Sequence, residues 1–214
     1  MATEQKPGKR SRLIQAAMSL VYKQGFGETR LADIAADANV PPGNVYYYFK
    51  TKEEIGAAIV DERLSQIKML HQKLDELDAP EARLCAFVQM TLDNRKNLAR
   101  GGCPIGTLCT ELHKEDGSLA KHSTVLFAEI LAWLKSQFAA LGKGRDSQGL
   151  AVHLLSALQG IAVVSHALGD PEIVVIEAQR LQRWIRRIPQ QAFLCNTRSR
   201  HRSCHFQCRH SQSR

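Results

Sequence analysis

Val40-Pro41-Pro42-Gly43-Asn44-Val45-Tyr46-Tyr47-Tyr48-Phe49-Lys50-Thr51-Lys52 is the stretch on which the fold turns. It reads as a short helix that hides only Val45, Tyr48 and Phe49 and leaves aromatic and basic groups outside. Pro42 suits a first helical position, where its missing N–H costs nothing, and Gly43 and Asn44 leave the helix start open to close approach. Three consecutive tyrosines cannot all be core, because one turn of helix has one buried face. Tyr48 shares a face with Val45, so Tyr46 and Tyr47 are expected to point outward. A helix built this way requires a partner outside the fold, and duplex DNA is the natural candidate.

The residues before it supply a scaffold. Leu13, Ile14, Ala17, Leu20 and Val21 recur at helical spacing and stop before Gly25, which predicts a first helix over 9–24. Thr29 offers an N-cap for a second, shorter helix whose Leu31, Ile34, Ala35 and Ala38 form one apolar stripe. Pro41 and Pro42 end it. Long helix, short helix, tight turn and short helix is the helix-turn-helix plan, in which the third element lies in the major groove. Thr51 and Glu54 then make a capping box for a fourth helix. Lys52 stands in its first turn, where a cation is disfavoured unless an external phosphate receives it.

The run Thr29-Arg30-Leu31-Ala32-Asp33-Ile34-Ala35, then Ala38-Asn39-Val40, then Gly43 through Ile55 resembles the DNA-binding domain of the tetracycline-repressor (TetR) family. The resemblance covers about the first quarter of the chain. It implies a dimeric, all-helical, ligand-responsive transcription factor, with the helix-turn-helix unit in residues 1–50 and a helical effector-binding and dimerisation domain in 51–188. By the same resemblance Tyr46 and Lys52 hold phosphates, Thr29 caps or touches the DNA backbone, and Asn44, Tyr47 and the Pro41-Pro42 turn face the bases beside Gly43. Arg30 and Ala32 stand where the family often has a hydroxyl and a basic residue, so Arg30 is expected to serve one of those roles. Two prolines at the tip remove hydrogen-bonding side chains, so readout there should lean on thymine methyls and DNA shape.

Charge is arranged to match. The chain of 214 residues carries +8 overall, yet residues 53–188 hold sixteen Lys/Arg against seventeen Asp/Glu. Residues 1–52 hold eight against four, and 189–214 hold five against none, so a nearly neutral body lies between two basic ends. A basic end favours phosphate contact. No apolar run approaches the roughly 20 residues that span a bilayer, and the polar start lacks a secretory signal's apolar core, so the expected location is the cytoplasm with no membrane partner. The six cysteines are then expected as reduced thiols.

Beyond Ile55 the sequence predicts an all-α body, with helices near 51–76, 80–98, 105–113, 118–141, 146–168 and 171–188. Breaks fall at 78–80, 101–102, 115–117, 142–144 and 169–171. The last two helices are expected to pair two subunits, through Leu154, Leu155, Leu158, Ile161 and Ala162 and through Ile173, Val174, Ile176, Leu181, Trp184, Ile185 and Ile188. An effector cavity is expected among the middle helices, lined by Phe87, Met90, Cys103, Leu108, Leu112, Trp133 and His153. Cys103 precedes Pro104 at a helix start, a setting that makes a thiol nucleophilic, and its glycine-rich segment is similar to one in a TetR-like subgroup that includes electrophile-responsive repressors. This raises a second possibility, a redox or electrophile sensor of the same fold.

Glu111, His113 and Glu115 fan around a helix axis without a nucleophile–base pair or metal motif, so no catalytic residues, cofactor or metal are assigned. After Pro189 the helical period fades. Cys195, His201, Cys204, His205, Cys208 and His210 match none of the usual paired zinc spacings, and residues 189–214 are expected to be a disordered basic tail adding non-specific DNA affinity.

Overall fold

The computed structural model describes residues 8–114 and 117–199. Among them are ten helices and no strand: α1 (Lys9–Gln24), α2 (Leu31–Asp37), α3 (Pro42–Tyr48), α4 (Lys52–Asp75), α5 (Pro80–Asp93), α6 (Arg95–Gly101), α7 (Pro104–Leu112), α8 (Ser118–Ala140), α9 (Ser147–Leu168) and α10 (Glu172–Ser199). The fold is all-α, with a small N-terminal helix-turn-helix unit joined to a larger helical body, as the apolar spacing predicts.

Local chemistry sets the helix ends. Gly25 closes α1 at φ 86°, its N–H donating to the Val21 carbonyl at 2.9 Å. The hydroxyl oxygen of Thr51 accepts from the Glu54 N–H at 3.2 Å, and the Glu54 carboxylate reaches back to the Lys50 N–H at 2.8 Å, so the box that starts α4 is displaced by one residue. Gly169 ends α9 in the left-handed region at φ 64°.

Three predicted boundaries are corrected. The helix expected over 80–98 is split at Asn94, whose carbonyl receives the N–H groups of Asn97 and Leu98, each at 3.0 Å, while its side-chain oxygen receives the Asn97 amide at 2.7 Å. A short polar side chain offers the backbone this local alternative to a continuous helix. Arg30, not Thr29, is the N-cap residue of α2, and its N–H donates to the Asp33 carboxylate at 3.3 Å. The backbone of α10 runs on through Pro189 to Ser199 instead of stopping near 188. Proline removes one donor, but Gln190, Gln191, Ala192 and Leu194 are adequate helix formers after it. Residues 115–116 and 200–214, with most of the Cys/His set of the tail, lie outside the described residues.

Two connected cores result. In the N-terminal unit Leu13, Ala17, Ile34, Val45 and Phe49 are buried together and continue through Ile55 and Ile59 of α4. In the body α4 packs on α8, α8 on α9, and α5 on α10, around Leu84, Leu126, Leu134, Phe138, Leu154 and Ile185. Each such side chain contributes roughly 1.5–3 kcal/mol by leaving water. The helix Ser147–Leu168 carries no Lys, Arg, Asp or Glu and is long and apolar enough by composition to cross a membrane, contrary to the expectation that no run approaches that length; its Leu154, Leu155, Leu158 and Ile161 are buried in the core.

That packing also corrects the predicted pairing stripe. The α9 leucines named for it, with Val174, Leu181, Ile185 and Ile188 of α10, point into their own subunit. The apolar groups left outside are Val152, Val163, Val164 and Leu168 of α9 and Ile176 of α10, beside an open Gly160. Both faces of α9 are apolar, so periodicity alone cannot say which one is inside.

Candidate nucleic-acid interface and cavity

Helix α3 is anchored by few groups. Val45 and Phe49 are buried and Tyr48 is half-buried, whereas Tyr46 is 60% and Tyr47 80% exposed. Tyr47 stands edge-on to Tyr48 at 5.0 Å, which limits its swing. Pro41, Pro42 and Gly43 are exposed at the start of the helix, nothing lies within 4 Å of where a Gly43 Cβ would be, and Asn44 is half-exposed behind them. Arg30 and Lys50 are exposed on the same unit. Sequence inspection overlooked Arg10, whose guanidinium lies 5.4 Å above the Phe49 ring and so brings a basic group from α1 to the end of α3.

Two of the expected contact residues are occupied internally. Thr29 is 1% exposed, and its hydroxyl donates to the Gly25 carbonyl at 2.7 Å, holding the turn between α1 and α2. Its side chain is therefore not at the surface. The Lys52 ammonium donates to the Gly27 carbonyl at 2.6 Å and sits 4.8 Å from the centre of the Phe26 ring. These contacts explain a lysine in the first turn of α4, because a carbonyl and an aromatic face offset the unfavourable helix dipole. An ammonium has three donors, so one internal bond leaves it able to meet a phosphate as well.

Besides the Lys52–Gly27 bond, two further contacts tie the N-terminal unit to α6 and α7 of the body. The Tyr22 hydroxyl on α1 lies 2.9 Å from the Asn97 carbonyl and 3.2 Å from that of Gly102; it donates across the junction of α6 and α7. Burial, reinforced by nearby Cys103, pushes Tyr22 above its ordinary pKa, which keeps it a donor. The second tie is the Gly27 N–H, which donates to the Glu111 carboxylate on α7 at 2.7 Å. A side chain at Gly25 would put its Cβ 2.9 Å from that carboxylate, so the turn needs glycine there for space as well as for φ. His113 turns its Nδ1 to the Cys109 carbonyl at 2.8 Å, and Glu115 lies outside the described residues.

A cavity of about 200 Å³ lies among α4, α5, α6, α7, α8 and α9. Phe87, Met90 and Cys103 are among the residues that line it. The other four expected residues do not. Leu108 and Leu112 are packed in the core, Trp133 lies one layer behind the wall, and His153 is exposed and edge-on to Trp184 at 5.0 Å on the side of α9 facing α10. Groups that sequence inspection missed include His71, Leu98, Ile105 and Gln159. Cys103 is the N-cap residue of α7; its sulfur accepts from the Gly106 N–H at 3.4 Å and lies 3.6 Å from the Gln159 amide nitrogen. Burial raises the pKa of the Cys85 and Cys109 thiols. Among the described residues no group of three or more His, Cys, Asp or Glu is placed to hold a metal ion.

Residues 13–59 match the family described as bacterial regulatory proteins, tetR family. Among curated proteins, the chain is 28% identical over 170 residues to an uncharacterised HTH-type transcriptional regulator of Lactococcus lactis subsp. lactis, covering 77% of this chain and 87% of that one. It is 30% identical over 111 residues to the HTH-type transcriptional repressor NemR of Escherichia coli K12, covering 50% of this chain and 53% of NemR. Among solved structures, a TetR transcriptional regulator from Legionella pneumophila superposes with a TM-score of 0.76 at 19% identity, over 84% of this chain and 98% of that one. The likeness in fold therefore extends well beyond the helix-turn-helix unit.

Proposed function

We propose that this chain, a member of the tetR family of bacterial regulatory proteins, is a homodimeric cytoplasmic repressor that releases a palindromic operator when a small molecule fills its cavity. The observation that carries the reading is α3: two adjacent tyrosines, 60% and 80% exposed, on a helix held to the protein by Val45 and Phe49. Residues 1–50 act as the DNA-binding unit and 51–188 as the effector and pairing unit, with the arginines of 189–214 adding non-specific affinity. Tyr46, Lys52, Arg30 and Arg10 meet phosphates; Asn44, Tyr47 and the Pro41-Pro42-Gly43 turn meet bases; Thr29 acts from within by fixing the turn. Phosphate contacts set register and salt dependence, and the few groove-facing groups set sequence.

Pairing through the outer face of α9 and α10 sets two α3 helices one helical turn of DNA apart, roughly 34–36 Å. An effector that prefers a dimer with another separation weakens binding; a coupling of ~1–3 kcal/mol amounts to ~5–150-fold. Gel-shift titration of the purified chain against the DNA upstream of its own gene tests this. The expected result is saturable binding of two protomers per duplex. A protein that stays monomeric and binds no duplex beyond non-specific levels would refute it.

A second reading is favoured by the position of Cys103, a half-buried thiol in the cavity wall, and by the similarity to NemR, of which a reduced-form structure is known. In it the signal is thiol chemistry at Cys103 instead of reversible filling of the cavity. Cys103→Ser would then abolish the response to an electrophile while leaving DNA binding intact.

A further inference from the structure

His71 is 4% exposed and lines the cavity, and among the described residues neither of its ring nitrogens has a hydrogen-bond partner. Buried polar atoms are nearly always paired, so an orphan on a cavity wall calls for a partner that the fold itself does not supply. The ring cannot turn away to find one. Trp133 stacks on it at 4.7 Å and 8° between planes, and the Trp133 indole N–H is itself fixed to the Asp75 carboxylate at 3.0 Å.

The surroundings dictate what the partner must offer. The Glu129 carboxylate is 3.5 Å from Nδ1, outside good hydrogen-bond geometry but near enough to favour the proton on that nitrogen. Nε2 is then left with a lone pair. Burial holds His71 below its ordinary pKa, so the ring is neutral at pH 7 and Nε2 accepts. Among the described residues no Lys, Arg, Asp or Glu lines the cavity, and the Glu129 carboxylate stands behind His71, so an anionic guest would meet no cation in the wall. An apolar cavity of ~150 Å³ holds one benzene. The space here, about 200 Å³, has room for one ring with a small substituent.

We propose that the cavity binds an uncharged, single-ring molecule of the phenol class, whose hydroxyl donates to Nε2 of His71 while its ring lies among Phe87, Leu98, Ile105 and Leu158. This names the effector chemistry and rests, for its regulatory meaning, on the reading of the chain as an effector-released repressor.

Calorimetric titration of the full chain with p-cresol, toluene and 4-methylbenzoate tests it. The expected result is that p-cresol binds at least ~10-fold more tightly than toluene, about 1.4 kcal/mol, and that 4-methylbenzoate does not bind. In His71→Phe, which keeps a ring against Trp133, p-cresol should fall to the level of toluene. Should that variant not fold, the imidazole nitrogen resonances of the wild-type protein decide: p-cresol must shift Nε2 of His71. Equal affinity for p-cresol and toluene, tightest binding of 4-methylbenzoate, no binding of any of the three, or an unmoved Nε2 would each overturn the proposal. A gel shift on the same preparation separates the two readings. Duplex binding without p-cresol binding sinks the ligand class alone, and p-cresol binding without duplex binding sinks the DNA-binding reading alone.

Discussion

Glu111 of α7 accepts a hydrogen bond from the backbone of Gly27 at 2.7 Å, joining the helix that begins at the cavity to the turn that carries α2 and α3. The two ends of α7 thus touch the two candidate sites, Cys103 at the cavity and Glu111 at the helix-turn-helix unit. Glu111→Ala should lower stability by about 1 kcal/mol, the typical net value of a hydrogen bond, and reduce the effector-induced loss of DNA affinity more than it reduces the affinity itself. Thermal unfolding and gel shifts with and without effector would check this; an unchanged effector response would show that α7 does not carry the signal.

Tyr46→Phe is expected to weaken binding about equally across operator variants, because it removes one donor to phosphate. Arg30→Ala should do so as well and also reduce the slope of log affinity against log salt by about 1. Asn44→Ala should instead reorder the variants, at ~1–3 kcal/mol for the preferred base pair. Titrations of each variant at several salt concentrations separate the three effects. Identical rankings for all three proteins would contradict the assignment of Asn44 to the bases.

Lys52→Ala discriminates between inside and outside roles. Loss of the bond to the Gly27 carbonyl should lower the melting temperature, by roughly 2–4 °C for about 1 kcal/mol in a chain of this size. If the ammonium also meets a phosphate, the salt slope falls with it. A lower melting temperature with an unchanged slope would assign Lys52 to the fold alone.

His71 gives a pH dependence of defined sign. Burial depresses its folded pKa below the ordinary 6.5, although Glu129 opposes the shift. The unfolded chain therefore takes up this proton first as pH falls. The contribution of a neutral His71 is complete above pH ~6.5 and is lost as pH drops through and below that value. Melting temperatures at pH 7.5 and 5.5 should diverge more for the wild-type chain than for His71→Phe, and equal divergence would contradict the sign.

Val163→Glu should produce a monomer by sedimentation with helical circular dichroism intact, because Val163 is exposed on the outer face of α9. Persistence of the dimer would move the pairing surface elsewhere.

Most of the fold was legible because its helices are separated by strong stop signals, such as Gly25, Pro41-Pro42 and Gly169-Asp170-Pro171, and because α1 to α3 each have one apolar face. Tyr46 and Tyr47 were legible for the same reason. The cavity was harder. Leu108 and His153 have the right composition and the wrong direction, and His71 sits in a run, Met69-Leu70-His71-Gln72, in which nothing local marks its burial. Tyr22 and Glu111 act through partners 75 to 84 residues away, and such pairings are settled by the packing of the N-terminal unit on α6 and α7.

Gly27 gives its N–H to Glu111 and its carbonyl to Lys52. A chimera that grafts residues 1–50 onto a foreign body would sever both attachments in one cut. Transplanting the specificity of this protein would require the splice point to lie past Lys52 and the recipient to carry an acidic side chain opposite the turn.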